Sequence, residues 1–311
     1  MCTRIFWSTN PVAKVVSRTL DWAVSDEPDL WYLPTGIERT GGVNDLAARW
    51  KSKYASLVLS MWRLGSVDGV NERGLAAHTL YLEGAEMETG GDRPTVSQIH
   101  WVQFVLDSFA TVDEAVAGLR GIRVASEPVR GQHLGAHFAI EDPTGDSAIF
   151  EPIGGEIVVH HGAEFTVLAN DPVLDEQLKN LSRYRPFGGE LPPPGDITSK
   201  DRFVRANYFL NYLPEPADSL EAVAGVLHLA SNASVPYGAP YDDGGVYPTW
   251  WMSAVDLTNM IYYFWSTLSP ALLWVNFTDV DPGSGVLSLN PRDPTLVGDV
   301  YRHLKPATPI F

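Results

Sequence analysis

The first residues of the chain decide the architecture that the sequence predicts. They are MCTRIFWSTNPVAKVVSRTLDW, residues 1–22. Residues 2–8 are rich in β-branched and aromatic side chains, and residues 12–20 have the same character. Between them, Thr9-Asn10-Pro11 has the chemistry of a turn. The sequence therefore predicts that the chain begins with a β-hairpin.

The single cysteine of the chain lies at position 2, next to the initiator methionine. One cysteine excludes an intrachain disulfide and a thiolate metal cluster. Removal of Met1 would give Cys2 a free α-amine, with a reference pKa of about 7.7 to 8.0, beside its own thiol. A nucleophile and its general base would then share one residue. Position alone leaves open a thiol without chemical function.

Composition limits the class of partner. The chain has 311 residues, of which 45% are hydrophobic and 19% are charged, which is enough apolar material for a large core. The formal net charge of -16 argues against a nucleic-acid or anionic-membrane partner. No apolar run is long enough for a transmembrane helix, and residues 1–7 lack the pattern of a secretory signal, so a cytoplasmic location is expected. The eight histidines form no HExxH motif, and no metal site or other cofactor is predicted.

Strands and helices are expected to alternate in blocks rather than as regular βαβ units. Further strands are predicted at residues 54–62, 74–82, 137–141, 147–150, 157–161, 165–169, 250–256, 261–265 and 272–277, with a turn at Ser66-Val67-Asp68-Gly69. Helices are predicted at 96–109, from Thr111 with a capping box to Glu114, at 198–212, and from Asp218 to about 230. This order favours antiparallel sheets with segregated helices, an α+β fold. No break in composition marks a second domain, so residues 1–311 are predicted to form one domain.

Five segments, in order along the chain, carry a resemblance to a known family. They are Met1-Cys2-Thr3-Arg4, Ser17-Arg18-Thr19-Leu20-Asp21-Trp22, Asp68-Gly69-Val70-Asn71-Glu72-Arg73-Gly74-Leu75, Leu168-Ala169-Asn170-Asp171-Pro172 and Asp201-Arg202-Phe203-Val204-Arg205. The sequence resembles the choloylglycine hydrolase family, cysteine N-terminal nucleophile amidases that include penicillin V acylases and bile salt hydrolases. The resemblance implies a four-layer αββα sandwich with two antiparallel sheets. It also implies hydrolysis of a linear amide C–N bond in a small-molecule N-acyl amide, through a thioester on Cys2, and a homotetramer.

The resemblance assigns roles to three residues around the N-terminus. Cys2 is the nucleophile, and its α-amine takes the thiol proton and later passes it to the leaving amine. Arg18 corresponds to an arginine near the thiol, where a cation favours the thiolate. Asp21 corresponds to a carboxylate that orients the N-terminal group. Without the family motif, the residues alone favour a surface ion pair of Arg18 and Asp21 at a strand end.

Further roles fall on residues that are distant in sequence. The side-chain amide of Asn170 and the backbone N–H of Tyr81 correspond to the two donors of an oxyanion hole. Arg202 corresponds to an arginine that anchors the charge network, and Arg205 is expected to be structural. The alternative for Asn170, which precedes Asp171-Pro172, is an Asx-turn.

Aromatic residues indicate the substrate branch within the family. Tyr81 stands where bile salt hydrolases have Asn, Trp22 resembles an aromatic pocket residue of Gram-negative-type penicillin V acylases, and the segment between Asn170 and Arg202 is short. That branch also implies activity on N-acyl homoserine lactones. A bile-acid or ceramide-like conjugate and a catalytically silent binding protein remain the alternatives. The loop 235–247 either closes over the acyl site or is an ordinary surface loop.

Overall fold

Two β-sheets pack face to face in the computed structural model, which describes residues 1–42, 44–309 and 311. Helices cover the outer face of each sheet. The arrangement is the α+β sandwich of four layers, helices–sheet–sheet–helices, that the sequence predicts. Strands are numbered β1 to β22 and helices α1 to α5 in chain order. Among the described residues, no helix has both the length and the apolar character needed to cross a membrane.

The first sheet has seven strands and is antiparallel except at one edge. In spatial order its strands are β16 (Val167–Leu168), β1 (Cys2–Trp7), β2 (Val15–Asp21), β17 (Thr249–Asp256), β18 (Ile261–Ser266), β19 (Leu272–Asn276) and β21 (Gly298–Asp299).

The second sheet has nine strands, all paired antiparallel. In spatial order its strands are β15 (Glu156–His161), β14 (Ser147–Ile153), β13 (Ala136–Glu141), β8 (Ala76–Tyr81), β7 (Gly65–Asn71), β6 (Ser56–Met61), β3 (Asp29–Leu33), β20 (Leu287–Leu289) and β22 (Lys305–Pro306).

The remaining elements are five α-helices, three short 3₁₀ helices and three two-stranded ribbons within the described residues. The helices are α1 (Trp101–Ser108), α2 (Val112–Leu119), α3 (Leu174–Leu181), α4 (Ser199–Asn211) and α5 (Ser219–Ala233), and the 3₁₀ helices are Phe277–Asp279, Pro282–Ser284 and Tyr301–His303. The ribbons pair β4 (Glu38–Thr40) with β5 (Arg49–Lys51), β9 (Thr95–Ser97) with β10 (Arg123–Ala125), and β11 (Pro128–Val129) with β12 (Gln132–His133).

The N-terminal hairpin lies inside the molecule. Asn10 closes its turn by accepting backbone N–H bonds from Val12 and Ala13 through its side-chain oxygen. All side chains of β1 and β2 are buried, because the second sheet covers one face of the hairpin and α4 and α5 cover the other. The register pairs Cys2 with Leu20 and Arg4 with Arg18. Since alternate residues of a strand point to opposite faces, Cys2, Arg4 and Arg18 share the face toward the second sheet.

Side-chain caps fix the starts of three helices. Thr111 accepts the backbone N–H of Glu114 at the start of α2, and Asp218 accepts that of Glu221 at the start of α5. These two caps confirm the helix starts predicted at Thr111 and Asp218. Thr198, whose cap was not predicted, accepts the N–H of Asp201 at the start of α4.

Two local predictions are wrong. Residues 66–69 are not a turn but lie within β7, because Asp68 is bonded inside the sheet and Gly69 fits where a Cβ would lie 2.6 Å from the carbonyl oxygen of Leu57. The helix predicted from residue 96 begins at Trp101, because residues 95–97 pair with β10. Sequence patterns also missed β3 and α3.

Candidate active site

Cys2 is the first residue of β1 and only 4% of it is exposed. Its Sγ lies 3.0 Å from Nη2 of Arg18. The hairpin register explains this contact, because Arg18 lies one two-residue step from Leu20, the cross-strand partner of Cys2. The structure therefore brings a cation to the thiol, in an arrangement that favours the thiolate.

The guanidinium of Arg18 is inserted between two strands of the second sheet. It donates to the carbonyl oxygens of Val67 on β7 at 3.0 Å and Thr79 on β8 at 3.1 Å. The paired part of β7 and β8 ends at Asp68 and His78, and Val67 lies at the irregularity where β7 shifts register against β6. A bulge thus frees the carbonyl groups that hold Arg18 in place.

Arg18 is fully buried yet remains charged. Burial opposes its charge, but the neighbouring Cys2 and Asp68 more than compensate and raise the pKa of Arg18 above its ordinary value. The Arg18 Nε atom lies 4.0 Å from Asp68 Oδ2, and the guanidinium lies 4.9 Å from the ring centre of Trp251. The charge next to Cys2 is therefore permanent at any pH at which the protein is folded.

The N-terminal segment is held by Asp21 and Asn170. The amino group of Met1 donates to the carbonyl oxygen of Asp21, whose own N–H donates to the Met1 carbonyl at 2.6 Å. The backbone N–H of Cys2 donates to Asn170 Oδ1 at 2.6 Å. Burial lowers the pKa of the Met1 amino group below its usual value. The environment at the chain start therefore disfavours a charged amine.

The carboxylate of Asp21 is fully buried and only half satisfied. Its Oδ1 accepts from the hydroxyl of Thr249 at 2.6 Å. Its Oδ2 lies 3.3 Å from Nη1 of Arg202 but has no hydrogen-bond partner within the described part of the chain. Buried polar atoms rarely lack a hydrogen-bond partner. This oxygen is therefore a candidate acceptor for the free amine that Cys2 would carry after removal of Met1.

Asn170 and Tyr81 meet beside Cys2. Asn170 Nδ2 donates to the carbonyl oxygen of Tyr81 at 2.6 Å. The next residue, Leu82, donates its N–H to Gly135 on the side of β13. Because N–H and C=O groups alternate sides along a strand, the N–H of Tyr81 points, like its carbonyl, toward Asn170. Asn170 Nδ2 has a second amide hydrogen that this contact does not use.

Arg202, on α4, connects these groups. It donates to the Cys2 carbonyl at 2.7 Å, to Asn170 Oδ1 at 2.9 Å and to the Thr3 hydroxyl. Arg205, one helical turn later, bonds instead to Asn232 of α5 and to the backbone of the loop before α4. The two arginines therefore face different surroundings, and only Arg202 reaches the N-terminal residues.

A buried chain of charges extends from Arg18 and was missed by the sequence analysis. Asp68 Oδ2 lies 2.7 Å from His78 Nδ1, and His78 Nε2 contacts Glu141, which also pairs with Arg4. Burial opposes protonation of His78, but Glu141 and Asp68 together raise its pKa to about 9. The only signal in the sequence was that His78 and Glu141 are polar residues within the strands predicted at 74–82 and 137–141.

An apolar pocket opens next to Cys2. Its walls combine residues of the hairpin end, the β6–β7 turn, β8, the segment before α1, β11 and the segment before β13. Among them are Leu20, Trp22, Met61, Trp62, Leu64, Ile99, Tyr81, Val129 and Leu134. The rings of Trp22 and Tyr81 meet edge to face with centres 5.2 Å apart. The structure thus brings both predicted aromatic residues to the wall of one pocket, which Cys2 also lines.

One group of metal-ligand-type side chains lies elsewhere. Asp113, Asp146 and His161 bring one candidate atom each within 4.8 Å of the others. Asp113 is exposed, and His161 Nε2 hydrogen-bonds to Asp146 Oδ2 at 2.8 Å.

Comparison with known proteins decides the family. A family model described as linear amide C–N hydrolases, choloylglycine hydrolase family, matches residues 2–282. The chain belongs to this family. It is therefore a hydrolase of linear amide C–N bonds, and the resemblance noted in the sequence is confirmed.

Individual choloylglycine hydrolase family members are similar over nearly the whole chain. A penicillin V acylase of Pectobacterium atrosepticum is 35% identical, with 99% of this chain and 91% of that protein aligned. A bile salt hydrolase/transferase of Bifidobacterium longum is 26% identical, with 92% and 98% aligned. The solved penicillin V acylase of Agrobacterium tumefaciens superposes with a TM-score of 0.90 at 34% identity, covering 99% of this chain and 98% of that one. A conjugated bile acid hydrolase of Clostridium perfringens, at 19% identity, covers 95% of this chain and 98% of that one with a TM-score of 0.81, and shares the fold.

Proposed function

We propose that this chain, as one domain and after loss of Met1, hydrolyses N-acyl amides through a thioester on Cys2. The observation that carries the proposal is the position of Cys2, whose Sγ lies 3.0 Å from Arg18 Nη2 and which lines an apolar pocket. A thiol beside a permanent cation is a nucleophile, and an apolar pocket beside it suits the acyl half of an amide.

Loss of Met1 is supported by the surroundings of the Cys2 nitrogen. In the full chain that nitrogen is an amide and cannot act as a base. Freed as an amine, it would keep Asn170 Oδ1 as a partner at about the present 2.6 Å. It would also supply an additional donor, and Asp21 Oδ2 is a buried acceptor that lacks a hydrogen-bond partner in the described structure.

The proposed reaction has two steps. The Cys2 amine takes the thiol proton, and Sγ attacks the amide carbon, while the Tyr81 N–H and Asn170 Nδ2 donate to the oxyanion. The C–N bond breaks as the ammonium passes its proton to the leaving nitrogen. Water, deprotonated by the amine, then attacks the thioester, which releases the carboxylic acid and restores the thiol.

The pocket favours a flat or flexible apolar acyl group. Trp22 and Tyr81 offer aromatic surface, and Met61, Leu64 and Leu134 add aliphatic surface. Phenoxyacetyl and medium or long alkanoyl groups fit this chemistry, as in penicillin V or N-acyl homoserine lactones. The names of two relatives as penicillin V acylases point the same way. Assembly into four copies is proposed from the family resemblance alone, and light scattering tests it.

Two measurements test the proposal. Intact-mass analysis of the purified protein should show loss of one methionine, and rapid acid quenching during turnover should show an added acyl mass on Cys2. In a substrate panel, penicillin V or a long-chain homoserine lactone should be hydrolysed faster than glycocholate. Preference for glycocholate would contradict the acyl assignment, and turnover without a Cys2 adduct would contradict the thioester.

A further inference from the structure

Five buried side chains behind the nucleophilic thiol carry charges of alternating sign. In order from the thiol they form the buried charge network: Arg18, Asp68, His78, Glu141 and Arg4. His78 is at its centre, with Nδ1 2.7 Å from Asp68 and Nε2 2.5 Å from Glu141. Each of the five residues is at most 1% exposed. The reaction proposed above uses only Arg18, so the other four have no assigned role.

The central residue of the network is a cation. Both ring nitrogens of His78 face carboxylates, so the protonated ring can donate to each of them. Burial opposes the positive charge, but Glu141 and Asp68 outweigh it and raise the pKa of His78 to about 9. Burial also opposes the charge of both carboxylates, yet the adjacent cations lower the pKa of Asp68 and of Glu141. At neutral pH the network therefore has three cations and two anions.

Asp68 acts on Arg18 through its charge and not through a hydrogen bond. The Nε atom of Arg18 lies 4.0 Å from Asp68 Oδ2 and has no hydrogen-bond partner among the described residues. The guanidinium is held instead by the backbone carbonyl oxygens of Val67 and Thr79. A change in the charge of Asp68 or of its partner His78 would therefore alter the potential at the thiol without releasing Arg18.

The balance of charges decides how far Arg18 can stabilise a thiolate. Without a partner, Asp68 would neutralise Arg18. A protonated His78 matches that carboxylate, and the remaining pair, Arg4 with Glu141, is balanced in itself. The charge of Arg18 is then left for the thiol. A neutral His78 would leave two cations against two anions, so a thiolate would add an uncompensated charge to a buried region, which is costly.

We propose that protonated His78, acting through Asp68 and Arg18, keeps the nucleophilic sulfur in its thiolate form. His78 is in this role a positioning residue, because it sets the charge behind Arg18 and does not act on the substrate itself. The inference rests on the proposed hydrolysis by Cys2 and extends it to a residue outside the set of reacting groups.

Other titratable groups surround the network. Tyr262 of the first sheet donates to Asp68, and burial raises the pKa of Tyr262 well above its ordinary value, so it stays neutral. Burial also raises the pKa of Asp26, which lies close enough to Arg18 to feel its charge, to about 6. Three charged pairs lie around the network: Asp21 with Arg202, His137 with Glu151, and Asp107 of α1 with Arg39 on the outer face. All of these groups are the same in the variants below, so differences between variants at one pH report the network itself.

Alkylation by iodoacetamide tests the inference directly, because Cys2 is the only cysteine of the chain. The rate follows the thiolate fraction, so a profile from about pH 5 to about pH 9 gives the pH of half-maximal rate. In the mature His78→Gln protein this pH should rise by about one unit, and the rate at about pH 6 should fall several-fold. The limiting rate at high pH should stay within about two-fold of the wild type, because the carbonyl groups that hold Arg18 remain.

A second substitution separates charge from contact. His78→Gln combined with Glu141→Gln removes one cation and one anion, so it restores the charge balance of the network without restoring the lost ion pairs. This double variant should return the half-maximal pH close to the wild-type value. The matched control, His228→Gln, replaces an exposed histidine of α5 and should leave the profile unchanged.

The reciprocal effect can be measured with His78 in place. By thermodynamic linkage, a thiolate that protonated His78 stabilises must stabilise that proton in return. NMR of protein labelled with ¹³C in its histidine rings follows the titration of His78. In Cys2→Ala, which removes the thiolate, this titration should move to lower pH by about one unit relative to the wild type.

Each outcome decides the role of His78. An unchanged alkylation profile in His78→Gln, no recovery in the double variant, or an unchanged His78 titration in Cys2→Ala overturns the inference. An equal shift in His228→Gln would show an effect of net protein charge and would overturn it as well. The proposed hydrolysis survives all of these results, and it fails instead if turnover proceeds without an acyl adduct on Cys2.

Discussion

The two faces of the nine-stranded sheet bury different chemistry. The inner face, toward Cys2, buries the connected charges of Arg18, Asp68, His78 and Glu141. The outer face, under α1 and α2, buries an aromatic and aliphatic cluster around Trp101 together with the Arg39–Asp107 ion pair.

This division arises because side chains along each strand point alternately to the two faces of the sheet. On β13, Phe138 and Ile140 point outward into the apolar cluster, while Ala139 and Glu141 point inward. Burying ions is expensive and often gives no net stability compared with apolar residues. Because they are concentrated on the face toward the proposed nucleophile, we infer that the inner layer is organised for chemistry and the outer layer for stability. Five predictions test that contrast.

The largest expected effect is on the inner face. Cys2→Ala should lower amide hydrolysis on the order of 10⁵-fold or more, because it removes the proposed nucleophile. The melting temperature should change little, since the thiol contributes little packing. Cys2→Ser should also be severely impaired, because a hydroxyl is much less acidic than a thiol. Turnover near the wild-type rate in Cys2→Ala would remove the chemical role from this residue.

The outer face should show the opposite behaviour. Trp101 is 1% exposed and stacks on Phe138 with ring centres 4.4 Å apart. Trp101→Ala should lower the free energy of unfolding by about 3 to 5 kcal/mol in urea titrations. Leu220→Ala, at a side chain 67% exposed, is the control and should change it by less than about 0.5 kcal/mol. If the folded Trp101→Ala protein lost most of its kcat, the division between the faces would be wrong.

Substitution of Asn170 tests whether a side chain of the inner layer stabilises the transition state of amide hydrolysis. Asn170→Ala should lower kcat on the order of 10² to 10³-fold with a smaller change in KM, because an oxyanion donor strengthens its bond as charge develops. Steady-state kinetics with one acyl amide measure the split. An effect confined to KM would place Asn170 in substrate binding, and alkylation of Cys2 by iodoacetamide would report any displacement of the thiol.

Sequence patterns predicted the outer face and the hairpin better than the inner charges. The predicted strand over 137–141 and the caps of α2 and α5 rest on local chemistry, which the structure keeps. Asp68 was misinterpreted as part of a turn, since Asp-Gly usually indicates one. Its true surroundings come from His78 and Tyr262, which is 194 residues away.

The candidate site shows the same limit. Cys2 and Arg18 are neighbours through a hairpin register that local pattern predicts. Asn170 and Arg202 were found only because family motifs marked them, since contacts of such sequence separation leave no periodic signal.

The next prediction uses the protonation of His78. Its pKa is raised to about 9 in the folded protein, against about 6.5 in the unfolded chain. Because folding raises this pKa, protonated His78 stabilises the folded protein. That stabilisation is complete below about pH 6.5 and is lost as the pH rises through about 9. In urea titrations of the wild-type protein, the free energy of unfolding should therefore decline by up to about 3 kcal/mol as the pH rises over this range.

The matched variants identify the source of that decline. His78→Gln should be less stable at pH 6.5 and should lose most of the decline, because the titrating group is absent. His228→Gln replaces an exposed histidine of α5 and should keep the wild-type pH profile. An unchanged decline in His78→Gln would show that the inner charges do not depend on a protonated His78.

The smallest effect is expected at Tyr81, which lies on the same strand as His78 but at its partly exposed end. Tyr81→Ala should lower kcat/KM for phenoxyacetyl or alkanoyl amides, because aromatic surface of the acyl pocket is lost. The expected loss of transition-state stabilisation is about 1 to 3 kcal/mol. Tyr81→Phe keeps the ring and should behave almost as the wild type. Both variants retain the backbone N–H, so Cys2 should react with iodoacetamide at the wild-type rate. Slower alkylation of Cys2 in Tyr81→Ala would show that the Tyr81 ring also orders the inner face. Tyr81 would then belong to the buried charge network as well as to the acyl pocket.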